Sequence, residues 1–368
     1  MEHLSLDRIF HHLHSHPETS WNEWETTQYI AATLERYSCD ITTFGDCPGV
    51  VAEILEGEPV VAVRADMDAL WQEVEEAFCA NHSCGHDAYM TIVIGVFFAL
   101  ADKQEELNGT VRFIFQPAEE QATGALKMVE KGIVDDAAYL FGLHLRPYQE
   151  LGHGTFAPAI QHGAARFIRG SINGEDAHGA RPHLNVNAIQ VGAELNQMLH
   201  HMEVDPAISH SAKLTSFHAG GTTPNIIPGK ADFTLDLRAQ QNAAMQTMAD
   251  QLNNITSALQ TYHGNEIYLD IESDVAAAVI DEQARSIMAE AIKSSVGTEQ
   301  LKPEIMTPGG DDFHFYTIKR PHLKATMLGI GCDLKPGLHH PNMTFNQSVI
   351  PDAVTILKRA ILTALAQE

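Results

Sequence analysis

Five short stretches of this 368-residue chain carry side chains that bind divalent cations or move protons. They are Arg64-Ala65-Asp66-Met67-Asp68, Cys84-Gly85-His86-Asp87, Gln116-Pro117-Ala118-Glu119-Glu120, Gly142-Leu143-His144 and Gly337-Leu338-His339-His340-Pro341. A thiolate and an imidazole separated by one glycine can turn toward the same ion, because Gly85 lets the backbone bend sharply. Asp87, directly after His86, is expected to orient that imidazole from behind. Adjacent carboxylates on an extended segment point to opposite sides. Glu119 and Glu120 are therefore expected to divide labour, one binding metal and one handling protons. Cysteine, glutamate and several histidines together suit borderline divalent ions such as Zn²⁺, Mn²⁺, Co²⁺ or Ni²⁺. Taken singly, each has a plainer explanation: Cys84 as packing, the Glu pair as solvated surface, His144 as a hydrogen-bonded core residue.

The elements that must position these residues favour the joint reading. Residues 59–66, 111–116 and 139–144 read as short apolar strands, and each runs directly into one of the five stretches. Apolar groups recur at helical spacing over 24–37, a long apolar helix is expected at about 87–101, and 124–131 reads as helix. Strands alternating with helices imply a mainly parallel sheet with helices on both faces. In such sheets functional groups gather at the carboxyl ends of the strands. The middle of the chain reads differently. Strands at 166–172, 212–218, 231–238 and 266–271 and helices at 187–202 and 242–262 give the order β-α-β-β-α-β, the split pattern of a ferredoxin-like sandwich. Helix (281–294), strand (325–331) and a closing helix (350–365) then return. The expected architecture is an α/β catalytic domain (1–163 and 275–368) interrupted by an inserted domain (164–274).

Composition excludes several alternatives. Apolar residues make up 44% of the chain and charged residues 19%, which fits a folded core rather than a disordered or coiled-coil chain. The 23 Lys and Arg against 48 Asp and Glu leave a net charge of −25. That excess argues against a nucleic-acid partner, which needs clustered cations, and against docking on anionic lipid. The longest apolar run, 92–101, is half of the ~20 residues a spanning helix needs. The N-terminus shows no basic region followed by an apolar stretch, so no signal peptide and a cytoplasmic location are expected. The five cysteines form no Cys-x-x-Cys pair, which is neither a disulfide scaffold nor a zinc-finger spacing. Among 21 histidines, His3, His11, His12, His14 and His16 fall on a predicted helix and are expected simply to meet water.

Taken in order, Arg64–Leu70, Cys84–Asp87, Phe115–Glu120, Gly142–His144 and Leu338–Pro341 resemble the motifs of the metal-dependent amidohydrolase and aminoacylase family. That family includes indole-acetyl-amino-acid hydrolases, hippurate hydrolases and N-acetyl-diaminopimelate deacetylases, and is related to aminoacylase-1. The resemblance runs from about Ile9 to the C-terminal helix. It implies a metallopeptidase-like catalytic domain carrying an inserted lid and dimerisation domain. It implies Cys84, His86, Glu120, His144 and His339 as ligands of two divalent ions and Glu119 as general base. His339 is preferred over His340 from its place in the Leu-His-x-Pro pattern. In the inserted domain, Ala177-His178-Gly179-Ala180-Arg181-Pro182-His183 resembles the segment whose first histidine stabilises the oxyanion. Gly220–Pro228, with Asn225, and Arg238 resemble substrate-contacting elements. A homodimer is implied as well. The chain departs from the family at Trp71, where proline is common, and at Asp311-Asp312-Phe313, where Glu-Asp-Phe is typical.

The expected activity is hydrolysis of the amide bond of N-acyl amino acids or similar small conjugates. A dipeptidase or carboxypeptidase with the same two-metal centre is the alternative enzyme. A metal-binding protein without catalysis is the alternative from another class, but it has no use for Glu119, His178 and Arg238 together. A thiol-protease reading of Cys84 is weaker, because the surrounding His and Glu residues favour metal.

Overall fold

A computed structural model describes residues 4–55 and 57–367. His3 and the first two residues lie outside the described residues. The chain divides into two compact units, one of residues 1–161, 279–306 and 312–368, the other of residues 162–278 and 307–311.

The first unit is built on a seven-stranded sheet in the order Asp40–Thr43, Val50–Ile54, Thr110–Gln116, Val60–Asp66, Ala137–Pro147, Lys324–Leu334, Phe156–Ala157. The four strands from Thr110–Gln116 to Lys324–Leu334 run parallel, and the edge strands pair antiparallel. Alternate residues of one strand serve two cores. Val61, Val63 and Ala65 join the core that includes helices Leu6–Ser15, His86–Ala101, Glu282–Val296 and Ile350–Leu365. Val60 and Ala62 join the core under Gly124–Glu130 and His314–Lys319. That two-sided burial is why the parallel strands read as unbroken apolar runs. Helix His86–Ala101 is buried along nearly all of its length. It is the element that the sequence marks as apolar on every side.

Arg64, 1% exposed, ties three segments together at the carboxyl end of the sheet. It donates to Gln116 Oε1 (2.8 Å), to Asp66 Oδ2 (2.5 Å) and to Asp312 Oδ1. Gln116 Nε2 and Ala125 N also donate to Asp312. Asp312, which stands where the resembled motif also has Asp, is thus a structural anchor, and a buried guanidinium is tolerable there because its partners are all present.

The second unit has a four-stranded antiparallel sheet in the order His210–Ala219, Ala231–Ala239, Ala164–Asn173, Glu266–Val275. Helices Ala188–Leu199 and Asn242–His263 share its core. The element order is the ferredoxin-like one read from the sequence. A short ribbon, Ala177–His178 paired with Ile226–Ile227, was not anticipated. Neither were the edge strands Asp40–Thr43 and Val50–Ile54, nor the hairpin of Leu70–Val74 and Ala77–Asn81. Among the described residues, no helix is long and apolar enough to cross a membrane.

Candidate metal centre

Cys84 and His86 stand at the start of helix His86–Ala101, on either side of Gly85. Gly85 has φ of +90°, and a Cβ there would lie 2.8 Å from Leu145 Cδ1. The backbone conformation favours glycine, and a Cβ would also require the Leu145 side chain to shift. Around this bend the structure gathers the predicted residues. Ligand atoms of Cys84, Glu120 and His339 lie within 4.8 Å of one another, as do those of His86, Glu119 and Glu120. His144 Nε2 is 3.8 Å from Cys84 Sγ. His86 Nε2 is 3.8 Å from Glu119 Oε2, and His339 Nε2 is 3.4 Å from Glu120 Oε1. His340 instead accepts a hydrogen bond from Asn342 N, which leaves His339 as the histidine in the cluster.

Both buried imidazoles are oriented from behind. His86 Nδ1 lies 2.8 Å from the Asp68 carbonyl, and His144 Nδ1 lies 2.7 Å from the Leu145 carbonyl. A carbonyl can only accept, so Nδ1 carries a proton, and in the neutral ring the Nε2 lone pair faces the cluster. That is the arrangement of a metal-ligating histidine. His86 Nε2 and Glu120 Oε1 are buried with no hydrogen bond of ordinary geometry. Orphaned atoms of this kind are costly unless something else meets them. Burial, then the charge of Glu120, pushes the Cys84 thiol up. Such a thiol takes its charge only against a cation. Burial likewise raises Glu120. Burial opposes charge on His86, but Cys84 and Asp68 outweigh it and raise its pKa. The donor set and its orphaned atoms fit one or more divalent ions.

Two expectations need correction. Glu119 and Glu120 do not lie on an extended segment. Ala118 is left-handed at φ +54°, and the turn that follows brings both carboxylates to the cluster. Asp87 does not orient His86. It is the next residue along a helix, about 100° around the axis, and its carboxylate meets His14 Nδ1 at 2.6 Å. His14 is accordingly not a residue that simply meets water. The orienting role belongs to Asp68, which the sequence reading placed in a motif without a task. Its carboxylate receives Glu119 N (3.2 Å), Glu120 N (3.0 Å) and Ser20 Oγ (2.7 Å) and lies 3.2 Å from His86 Nδ1. Burial alone would raise Asp68, but the His86 and Ser20 hydrogen bonds and the Glu120 amide lower it.

A second missed residue is Glu23, which is 0% exposed. It accepts from Ala118 N at 2.8 Å, while its Oε2 is buried without a hydrogen bond. Burial, with the charge of Asp68 next, pushes its carboxyl up to about 8.

The three site residues expected in the inserted segment belong to the second unit. His178 pairs with Ile226 across the short ribbon and is exposed. Its Nδ1 accepts from Ala180 N, and Gly179 N donates to Asn225 O, so His178 and Asn225 are neighbours. Arg238 lies elsewhere, on strand Ala231–Ala239. It donates through Nε to Asp236 (2.8 Å), stacks over Phe167, and lines a cavity of about 440 Å³ with His210 and Lys213.

The sequence profile of peptidase family M20/M25/M40 matches residues 62–363. The chain belongs to that family. It is similar to the N-acetylcysteine deacetylase of Bacillus subtilis (strain 168), 30% identical over 95% of this chain and 93% of that one. It is also similar to the IAA-amino acid hydrolase ILR1-like 4 of Arabidopsis thaliana, 27% identical over 92% of this chain and 81% of the other. Thermostable carboxypeptidase 1 of Saccharolobus solfataricus is 27% identical, over 94% and 90%. Among solved structures, a dinuclear metal-binding peptidase of the M20 family from Bacillus subtilis superposes with a TM-score of 0.82 at 26% identity, covering 99% of this chain and 98% of that one. The resemblance read from the motifs is thus met, and so is the expectation of a metallopeptidase-like α/β fold. This family member is a hydrolase, and its relatives cleave amide bonds by name.

Proposed function

We propose that this M20 hydrolase cleaves the amide bond of N-acyl amino acids or closely similar small conjugates, releasing a carboxylic acid and an amino acid. The observation that carries the reading is the convergence of Cys84, His86, Glu119, Glu120, His144 and His339, with His86 Nε2 and Glu120 Oε1 buried without a hydrogen bond. Cys84, His86, Glu120, His144 and His339 would hold two divalent ions. When bound, such ions polarise a carbonyl and acidify a water molecule.

The remaining work falls to side chains. Glu119, partly exposed at 13%, takes the proton of the attacking water on Oε2 and returns it to the departing nitrogen. Asp68 holds the two amides that fix the direction of Glu119 and Glu120. His178 donates to the oxyanion, with Asn225 beside it just before the ribbon's second strand. Arg238 receives the free carboxylate of the amino acid, for which a chain of net charge −25 needs a local cation. The substrate is a small molecule, and the functional particle is a homodimer.

Chelated protein reloaded with Zn²⁺, Mn²⁺, Co²⁺ or Ni²⁺ one at a time, and offered N-acyl amino acids and free dipeptides, tests the assignment. Acid release from the acylated amino acids in preference to dipeptides is expected. The carboxypeptidase relatives give the second reading its ground, and preferential cleavage of peptides would overturn the first.

A further inference from the structure

The hairpin of Leu70–Val74 and Ala77–Asn81 has no counterpart among the elements that build the sheet. Its two-residue turn, Glu75-Glu76, is left-handed at both positions, with φ of +49° and +67°. Turns of that hand match the twist of a tight hairpin. The register places Leu70 opposite Asn81 and Gln72 opposite Cys79, so Gln72 and Asn81 are diagonal neighbours on one face. There Asn81 Nδ2 donates to Gln72 Oε1 at 2.8 Å and to the Pro341 carbonyl at 2.9 Å. Gln72 Nε2 donates to the His339 carbonyl at 3.2 Å.

These bonds land on the least supported member of the cluster. The His339 side chain is 53% exposed, whereas those of Cys84, His86, Glu120 and His144 are buried or nearly so. Packing therefore does little to aim its ring. The His339 backbone is left-handed at φ +63°, a conformation a non-glycine residue keeps only when its surroundings impose it. Hydrogen bonds within 335–344 hold part of this turn, and two contacts on His339 itself come from the hairpin and the residues after it. Gln72 holds the carbonyl, and the His339 amide donates to Ser83 O at 2.8 Å. Ser83 N in turn donates to Asn81 O. With that backbone fixed, His339 Nε2 comes within 3.4 Å of the buried Glu120 Oε1.

We infer that Gln72 and Asn81 are positioning residues for His339: their carboxamides clamp the strained 339–341 turn and so set the affinity of the ion that His339 and Glu120 share. The inference rests on His339 being a ligand, as proposed above. It gives the hairpin a task in the metal centre and makes one of the two ions the more weakly held.

Calorimetric titration of metal-free protein with Zn²⁺ tests it, with wild type, His339→Ala, Gln72→Met and Asn81→Leu compared. The last two keep side-chain volume and charge but remove the donors. Loss of supporting bonds of this kind weakens metal binding by about 10- to 100-fold. Gln72→Met and Asn81→Leu are expected to weaken the second equivalent at least about tenfold and leave the first within about twofold. If His339→Ala weakens the second equivalent while both amide variants bind as wild type does, the clamp is overturned and the ligand assignment stands. If His339→Ala itself leaves both equivalents intact, the ligand assignment fails. Should Asn81→Leu not fold, Gln72→Met alone decides.

Discussion

Replacing Glu23 by glutamine should make the metal-free protein progressively more stable than wild type as the pH rises. Glu23 is fully buried, accepts a single amide hydrogen bond from Ala118, and has a second oxygen with no hydrogen bond. Burial first, then the charge of Asp68, raises its carboxyl from the ordinary 4.5 to about 8. The unfolded chain gives up this proton near 4.5, whereas the fold keeps it to about 8. Between those values unfolding releases a proton, so increasing pH favours the unfolded state. The contribution of Glu23 is full below the unfolded value and is lost as the pH climbs through the folded one. Each pH unit of that interval costs about 1.4 kcal/mol, so wild type loses ~4 kcal/mol at this residue between about pH 5 and pH 8.

Glutamine is neutral throughout and can still accept from Ala118 N. The variant should therefore match wild type near pH 5 and gain on it steadily toward pH 8. Urea midpoints of the chelated proteins at each pH give the difference directly. A difference that stays flat across the range would mean that Glu23 is ionised in the fold, and its role as a neutral support of the 117–120 turn would be refuted. Glu23→Ala removes the acceptor as well as the charge, and should cost stability at every pH.

Three further outcomes follow from the geometry. Glu119→Gln should lower kcat by about 10²–10⁴-fold with metal content unchanged, whereas Glu120→Gln should lose metal. Elemental analysis beside the rate measurement separates the two carboxylates, and loss of metal from the first variant would reverse their roles. Arg64→Met leaves Asp66 and Asp312 buried without their cation and should cost about 3–5 kcal/mol of stability. A denaturation midpoint close to wild type would show the network to be dispensable. Arg238→Ala should raise KM for substrates with a free carboxylate far more than for their amides, and equal effects on both would remove Arg238 from substrate binding.

What the sequence made legible, and what it hid, divides along a physical line. The parallel strands and helix His86–Ala101 were visible because burial on every side leaves a continuous apolar run. The closing helix, expected over about 350–365, spans Ile350–Leu365. The hairpin at 70–81 was not, because its turn is Glu75-Glu76 in place of the Asn-Gly or Asp-Gly that normally announces two left-handed residues. Side chains that point at a common centre from strand ends were legible as types in sequence. The groups that aim them were not. Asp87 sits next to His86 and looked like its support, yet helix geometry turns it toward His14. Asp68, 18 residues away, and Glu23, 95 residues from the turn it holds, do the aiming instead. An acid before a helix, as Glu23 is, reads from sequence as a surface complement to the helix dipole. Only the packing of a distant turn onto it makes it a buried neutral group. The identity of the proposed ligands is thus a local property of the chain. Ligand orientation is a tertiary one, and changes at Asp68, Glu23 or Asn81 should alter metal binding without altering any ligand.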